Sequence, residues 1–334
     1  MKAIIFSNSI SSLKSVYSPL AMSKMDSVAD LDRTFFTKND IIANPENFSD
    51  VEFIFSTWGM PVFSEEEIKK YFPKLRCLFY AAGSVQKFAR PFLNCGVKVF
   101  SAWAANGLSV AEFTVAQIIL ANKGFYTLSS LLKKKRFDDV NRLKFAFPGN
   151  VGEKIGLIGC GMIGTQVAEL LQQYELEVLV FDPFLSDERA QKLNVRKCSL
   201  EEIFSTCSVI SNHLANNPQT RHMLRYEHFS AMRPFSTFIN TGRGAQVIED
   251  DLVKALTEKP DIVAVLDVTD PEPAVPTHPF YDLENCFIAP HIAGSLASAE
   301  HSRMVQYMVS EYNSYVSGNP LKYEVTMRML ETMA

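Results

Sequence analysis

The sequence has no excess of either charge, no long uninterrupted apolar run and no cysteine pair at a recognisable spacing, and each absence removes a class of function. Lysine and arginine number 33 against 37 aspartates and glutamates, a formal charge of −4, so nothing draws the chain to nucleic acid or to an anionic membrane surface. The six cysteines, at 77, 95, 160, 198, 207 and 286, have neither C-x-x-C spacing nor histidine companions. That argues against a zinc site and a disulfide framework, and suits a reducing compartment. No His/Asp/Glu cluster has ligand spacing, so no metal is expected. The N-terminal MKAIIFSNS holds too few apolar residues for a signal peptide, and no apolar stretch approaches membrane-spanning length. These readings predict a soluble cytoplasmic protein whose partners are small molecules, with no nucleic acid and no membrane. No repeat or low-complexity segment is present, and the one charge run, Lys133 to Arg136, reads as the solvated end of a helix.

At 334 residues the chain exceeds what one hydrophobic core usually supports, which predicts two domains. In the first hundred residues the β-rich runs 2–7, 51–57, 77–83 and 97–103 alternate with helical or polar stretches, the pattern of a parallel α/β sheet. Ser64 with Glu67 reads as a capping box, and Ser109 with Glu112 as a second one opening a long apolar helix. After a linker-like stretch at 147–154 the alternation restarts. Strands are expected at 154–159, 177–182, 208–214, 236–242, 261–268 and 286–290, with helices between most of them, for example at 162–174, 200–207 and 249–258. A last helix, about 296–317, would carry the chain away again, and the tail GNPLKYEVT would rejoin the first domain.

The stretch KIGLIGCGMIGTQVAELL, 154–171, sets Gly159, Gly161 and Gly164 between a buried strand and a helix. In a dinucleotide-binding turn the first glycine permits the tight bend, the second lets a pyrophosphate approach the backbone, and the third lets helix pack on strand. The helix N-terminus, at Met162 and Ile163, then faces the phosphates. Asp182 stands at the end of the next strand, where a carboxylate accepts hydrogen bonds from the adenosine ribose hydroxyls and repels a 2′-phosphate. NAD is therefore expected in preference to NADP.

Three downstream pieces each follow the carboxyl end of an expected strand, where open α/β sheets bind ligands: NTGRGAQV from Asn240 to Val247, DVTDPEP from Asp267 to Pro273, and PHIAG from Pro290 to Gly294. With the glycine turn, they make the chain resemble the D-isomer-specific 2-hydroxyacid dehydrogenases, a family that includes D-lactate, phosphoglycerate, glyoxylate/hydroxypyruvate and formate dehydrogenases. The likeness covers nearly the whole chain. It implies a Rossmann NAD-binding domain, 103–296, inserted into a flavodoxin-like substrate-binding domain, 1–102 plus 297–334, and a homodimer formed through the NAD-binding domain.

The resemblance assigns Arg243 to the substrate carboxylate and carbonyl oxygen, His291 to acid/base catalysis and Glu272 to the histidine's partner. Elementary chemistry agrees. An arginine fork meets the planar carboxylate of a 2-keto acid with charge-assisted hydrogen bonds. A protonated imidazole neutralises the charge that grows on the carbonyl oxygen as hydride arrives. By the same resemblance Thr241 and Asp267 contact the cofactor, and Gly83, Ser84 and Asn106 contact the substrate, Asn106 from just before the capped helix. The expected activity is NAD(H)-dependent interconversion of a 2-keto acid and a D-2-hydroxy acid. A formate dehydrogenase is disfavoured, because that branch is expected to hold glutamine where this chain has Glu272. An NAD-sensing binding protein, like the C-terminal-binding-protein corepressors, is the alternative from another class. The chain departs from the family at Ala215, where proline is usual, and at Ala104 and Ala105, which replace Pro-Gly or Pro-Phe. Trp58 and Trp103 read as pocket residues or plain core.

Overall fold

The computed structural model describes residues 1–331 and divides into two compact units, Met1–Gly107 with the residues from Ser295 onward, and Leu108–Gly294. In the first unit five strands run β1 Lys2–Phe6, β2 Leu31–Phe36, β3 Val51–Ser56, β4 Cys77–Tyr80 and β5 Lys98–Ser101. They pair parallel in the order β5-β4-β3-β1-β2, and the last strand among the described residues, Glu324–Val325, adds antiparallel to β5. This is the flavodoxin-like order, with its switch point between β1 and β3. Strand alternation sorts the core: Ile4, Phe6, Ile54, Leu78 and Tyr80 enter one cluster. Ala3, Ile5, Phe53, Phe55 and Phe79 enter the other, against Met304, Val305, Met308 and Tyr312 of the helix Ser298–Ser317. The tail does rejoin this unit. Buried Glu311 anchors it by accepting from the N–H groups of Lys322 at 3.0 Å and Tyr323 at 3.2 Å.

The second unit carries β6 Val151–Ile158, β7 Glu175–Phe181, β8 Arg196–Lys197, β9 Val209–Asn212, β10 Thr237–Asn240, β11 Val263–Leu266 and β12 Cys286–Ile288, all parallel. The order β8-β7-β6-β9-β10-β11-β12 is that of a Rossmann sheet extended by one strand, with its switch point between β6 and β9. One face packs Ile155, Leu157, Val180 and Val265 against Ala111, Val115, Ile118, Val167 and Leu171. The other packs Ile158, Leu179, Ile210 and Leu266 against Phe204, Phe229, Leu252 and Leu256.

Several expectations need correcting. The capping box at Ser64 is present, with Ser64 N donating to Glu67 at 2.9 Å and Glu67 N to Ser64 at 3.2 Å. The one at Ser109 is not: the helix already begins at Trp103, and Ser109 is buried inside it. Ala104 and Ala105, strong helix formers where a proline would stop the helix, extend it upstream. Asn106 therefore lies within the helix rather than before it. That helix, Trp103–Asn122, is long and apolar enough to cross a membrane by length and composition, contrary to the sequence reading, with 56% of its apolar window buried inside the structure. Gly107, Ser109, Glu112, Thr114 and Gln117 break up the run in the sequence, and Ala111, Val115, Ile118 and Ala121 bury it in the second unit's core. Strands β2 and β8 and the helices Phe125–Lys133 and Phe137–Leu143 are additions.

Candidate functional site

The glycine turn follows β6 at the switch point. Gly159 has φ +93°, and a Cβ there would lie 2.8 Å from the His213 carbonyl oxygen. A Cβ on Gly164 would overlap the Gly159 carbonyl, with its carbon 3.1 Å away, whereas one on Gly161 meets nothing within 4 Å. Two glycines are thus demanded by packing and the third faces open space, the cradle that a pyrophosphate needs. Gly161 caps the helix Met162–Leu171, whose first N–H groups, at Met162 and Ile163, are the unpaired donors of a helix start. Asp182, past the end of β7, accepts from Cys160 N at 2.6 Å and from Phe184 N at 2.8 Å, which ties the carboxylate to the turn. The residues fit a dinucleotide.

Downstream of β10 a turn holds Arg243. Its frame is a buried amide network: Asn212 Nδ2 donates to Asn240 Oδ1 at 3.0 Å and to Gln246 Oε1 at 2.6 Å, and Gln246 Oε1 also accepts from Arg243 N at 3.1 Å. Gln246 Nε2 reaches back to the Leu214 carbonyl at 2.7 Å. The sequence reading missed Asn212 and Gln246, since no spacing rule joins residues on different strands. The Arg243 guanidinium itself makes one hydrogen bond among the described residues, Nη1 to the Gly242 carbonyl at 2.7 Å. Burial lowers its pKa while the charge of Glu272 opposes that. A half-buried cation with most of its fork unspent is a receptor for an anion.

Glu272 and His291 come together after β11 and β12, with Oε1 2.5 Å from Nδ1. Against a carboxylate Nδ1 carries the proton, which leaves Nε2 free on the far side of the ring. The histidine sits at φ +55° on a turn that Asp267 holds. Asp267 Oδ1 accepts from Ile292 N at 2.8 Å, Oδ2 from Ala293 N at 3.0 Å, and the Asp267 carbonyl from His291 N at 3.0 Å. Burial pushes the Asp267 carboxyl up, while those two N–H groups and His291 pull it down. Gly244 completes the arrangement, because a Cβ there would come 2.5 Å from Asp270 N and overlap Thr269. The segment leading to Glu272 lies directly on the turn that carries Arg243.

A cavity of about 140 Å³ opens beside this cluster, lined by Phe113, Gln117, Tyr126, Thr241, Asp267 and Phe287 among others. The Tyr126 hydroxyl is buried there without a partner among the described residues, and Thr241 meets Thr114 at 3.2 Å between hydroxyls. In the first unit Gly83 and Ser84 follow β4. Ser101 holds the Gly83 carbonyl at 2.6 Å, and the N–H groups of Gly83 and Ser84 have no partner among the described residues. Asn106 joins them: its Nδ2 is 3.6 Å from where a Gly83 Cβ would stand, and its Oδ1 accepts from Ser295 N at 3.0 Å. Trp58 packs edge-on against His301 at 5.6 Å and Trp103 against Tyr323 at 6.0 Å, so both have core neighbours. Among the described residues no cluster could hold a metal ion.

Comparison with known proteins places this geometry. Residues 115–293 match the D-isomer specific 2-hydroxyacid dehydrogenase, NAD binding domain. A D-3-phosphoglycerate dehydrogenase of Archaeoglobus fulgidus is 28% identical over 236 residues, 71% of this chain and 44% of the relative. A glyoxylate reductase of Thermofilum pendens is 31% identical over 193 residues, 57% of each chain. The chain thus spans about half the length of these curated relatives. Among solved structures, a phosphoglycerate oxidoreductase of Rhizobium etli superposes with a TM-score of 0.78 at 21% identity, covering 98% of this chain and 99% of that one. The D-mandelate dehydrogenase of Rhodotorula graminis gives 0.76 at 18% identity over 97% and 98%. These likenesses show the fold. With more than half of its length matched by the NAD-binding domain, this chain belongs to the D-isomer specific 2-hydroxyacid dehydrogenase family, whose cofactor is NAD.

Proposed function

We propose that the protein reduces a 2-keto acid to the D-2-hydroxy acid and runs the reverse reaction, with Arg243, Glu272 and His291 as the catalytic residues. The observation that carries this reading is the unspent guanidinium of Arg243 on the same strand-end rim as a His291–Glu272 pair at 2.5 Å. When bound at the glycine turn, NADH supplies the hydride. Gly159, Gly161, Met162, Ile163 and Gly164 hold its phosphates, Asp182 its adenosine ribose, and Thr241 and Asp267 its nicotinamide end. Arg243 grips the substrate carboxylate and the carbonyl oxygen. In the first unit, Gly83, Ser84 and Asn106 offer donors that suit a carboxylate. Negative charge growing on that oxygen draws the proton from Nε2 of His291, and Glu272 stabilises the imidazolium until the transfer. In the oxidative direction the neutral Nε2 takes the hydroxyl proton.

The test is NADH oxidation against 2-keto acids graded by side-chain size, beside His291→Ala and Arg243→Ala. Saturable turnover lost in both variants, with NADH binding kept, supports the reading. Tight NADH binding with no turnover in any protein would replace the reductase by a sensor. We infer further that the chain forms a homodimer in the cytoplasm through its NAD-binding unit, where Phe125, Leu132, Phe137 and Phe145 are exposed between Asn122 and β6, and Val151 at the start of β6. Light scattering of wild type and Phe145→Asp tests the dimer, and a monomeric wild type refutes it.

A further inference from the structure

The segment that carries Glu272 is long, and one carboxylate reaches both of its ends. Glu249 begins the helix Glu249–Glu258, a few residues after the turn of Arg243. Its Oε1 accepts from Asp270 N at 2.9 Å, and its Oε2 faces His278 Nε2 at 3.3 Å. Asp270 lies just before Glu272 and His278 a few residues after it. His278 Nδ1 accepts from Phe280 N at 3.2 Å, so the ring proton of the neutral imidazole is on Nε2, the nitrogen 3.3 Å from Glu249. The side chains of His278 and Glu249 are only 12% and 11% exposed, which makes an orphaned donor costly.

We propose that Glu249 and His278 are positioning residues for the reaction: they hold the Glu272 segment in register with His291, and do so fully only when Glu249 is ionised. The proposal rests on the reading of Glu272 and His291 given above. Both neighbours of the carboxylate are N–H groups, Asp270 N in a hydrogen bond at 2.9 Å and His278 Nε2 in an electrostatic contact at 3.3 Å, so a proton on either oxygen places O–H against N–H and weakens one of the two interactions. A tautomer change in His278 does not rescue it, since Nδ1–H would then face the Phe280 N–H. The groups around Glu249 are Asp250 on its own helix, Asp270 and His278 on the segment, and Cys286 on β12, with Arg221 paired to Asp270 at 3.5 Å. Burial first, then the charges of Asp270 and Asp250, push the Glu249 carboxyl up to about 7, against the pull of the Asp270 N–H. Burial pushes the Cys286 thiol up to about 12, which keeps it neutral throughout. The anchor is complete above neutrality and weakened below it.

Glu249→Gln tests this, because the amide keeps one acceptor and turns a donor toward the other partner, as the protonated acid does. In amide-resolved NMR of the labelled protein between about pH 5.5 and 8.5, the Asp270 amide resonance of wild type, whose N–H donates to Glu249, moves with a midpoint near that of Glu249. It stays still in Glu249→Gln. In the reductase assay, kcat/KM of wild type falls on the acid side, while Glu249→Gln is roughly tenfold lower at pH 8 and has lost the acid limb, the scale of one buried bond to a charged group. His278→Gln, which restores an N–H donor, recovers more than His278→Ala. A variant that is lower at every pH with the acid limb intact, or a wild-type resonance that ignores the titration, overturns the proposal. The spectra need no turnover: an inert protein with a titrating segment defeats only the reductase reading, and an active one with a silent segment defeats only this inference.

Discussion

Alanine at Gly161 and alanine at Gly164 should separate cofactor approach from folding. A Cβ on Gly161 meets nothing within 4 Å in the protein itself, and its φ of −70° is open to any residue. Gly161→Ala should therefore unfold at the wild-type temperature. Its methyl group stands where a pyrophosphate must come close, and an overlap of that kind costs about 1–3 kcal/mol, or roughly 5- to 150-fold in the dissociation constant. On Gly164 the methyl would overlap the Gly159 carbonyl, whose oxygen and carbon belong to the backbone of the turn and give way only if helix and strand separate. The same 1–3 kcal/mol order then appears in stability as well, a fall of roughly 2–12 °C in the melting temperature of a domain this size. Fluorescence titration with NADH and thermal melts of both variants read the two effects. Wild-type NADH affinity in Gly161→Ala would refute the reasoning, because it would mean that no phosphate passes that Cα.

Further outcomes follow from the same geometry. Arg243→Ala should lower kcat/KM for every keto acid by about 10- to 100-fold or more, the scale of hydrogen bonds to a charged group, while NADH binding stays near wild type. Arg243→Lys should restore little, since an ammonium lacks the fork; full rescue by lysine would show that charge alone is read. Gly244→Ala forces its methyl into Thr269 and Asp270, so kinetics and thermal melts should both decline, and a variant of wild-type activity would show that the Glu272 segment need not lie on the Arg243 turn. Glu249 gives the stability a pH dependence. Its carboxyl is raised to about 7 in the folded chain from the ordinary 4.5, so between those values the folded state binds more protons than the unfolded one. Stability is therefore greatest below the lower value, falls as the pH rises to about 7 and is level above it, by on the order of 3 kcal/mol at most. Urea melts of Glu249→Gln should lack that fall, and identical pH profiles in the two proteins would contradict it.

What the sequence made legible was whatever repeats with a short period or depends on one residue's steric nature. The alternation of Ile4 and Phe6 with Ala3 and Ile5 is visible in a string and becomes two faces of one sheet. Gly159 and Gly164 are legible because no other residue fits where they stand. Strand β2, LDRTFF, was hidden because Asp32 and Arg33 interrupt its apolar side at the exposed edge of the sheet. Serine followed three residues later by glutamate occurs four times, at Ser49, Ser64, Ser109 and Ser199, and the letters alone do not say which of them start a helix. Ser64 follows Pro61 and a short irregular stretch, so the chain has to be capped there. Ser109 follows Trp103, Ala104 and Ala105, which are already helical, and its hydroxyl has no helix start to serve.

The harder part of the site is the part that no periodicity carries. Asp267 is the same letter whether it touches a cofactor or holds a turn, and only the structure shows both of its oxygens engaged by the N–H groups of Ile292 and Ala293. A carboxylate so placed fixes where His291 stands. The cofactor role and the positioning role are compatible, because each oxygen has a second lone pair to offer. Asn212, Gln246, Glu249 and His278 follow the same logic at one remove. Gln246 and Glu249 accept the backbone N–H groups of Arg243 and Asp270, Asn212 holds the Gln246 side chain, and His278 stands 3.3 Å from Glu249, so their chemistry is expressed as the geometry of another residue. Such residues leave no motif of their own, since what selects them is a distance between strands rather than a spacing along the chain.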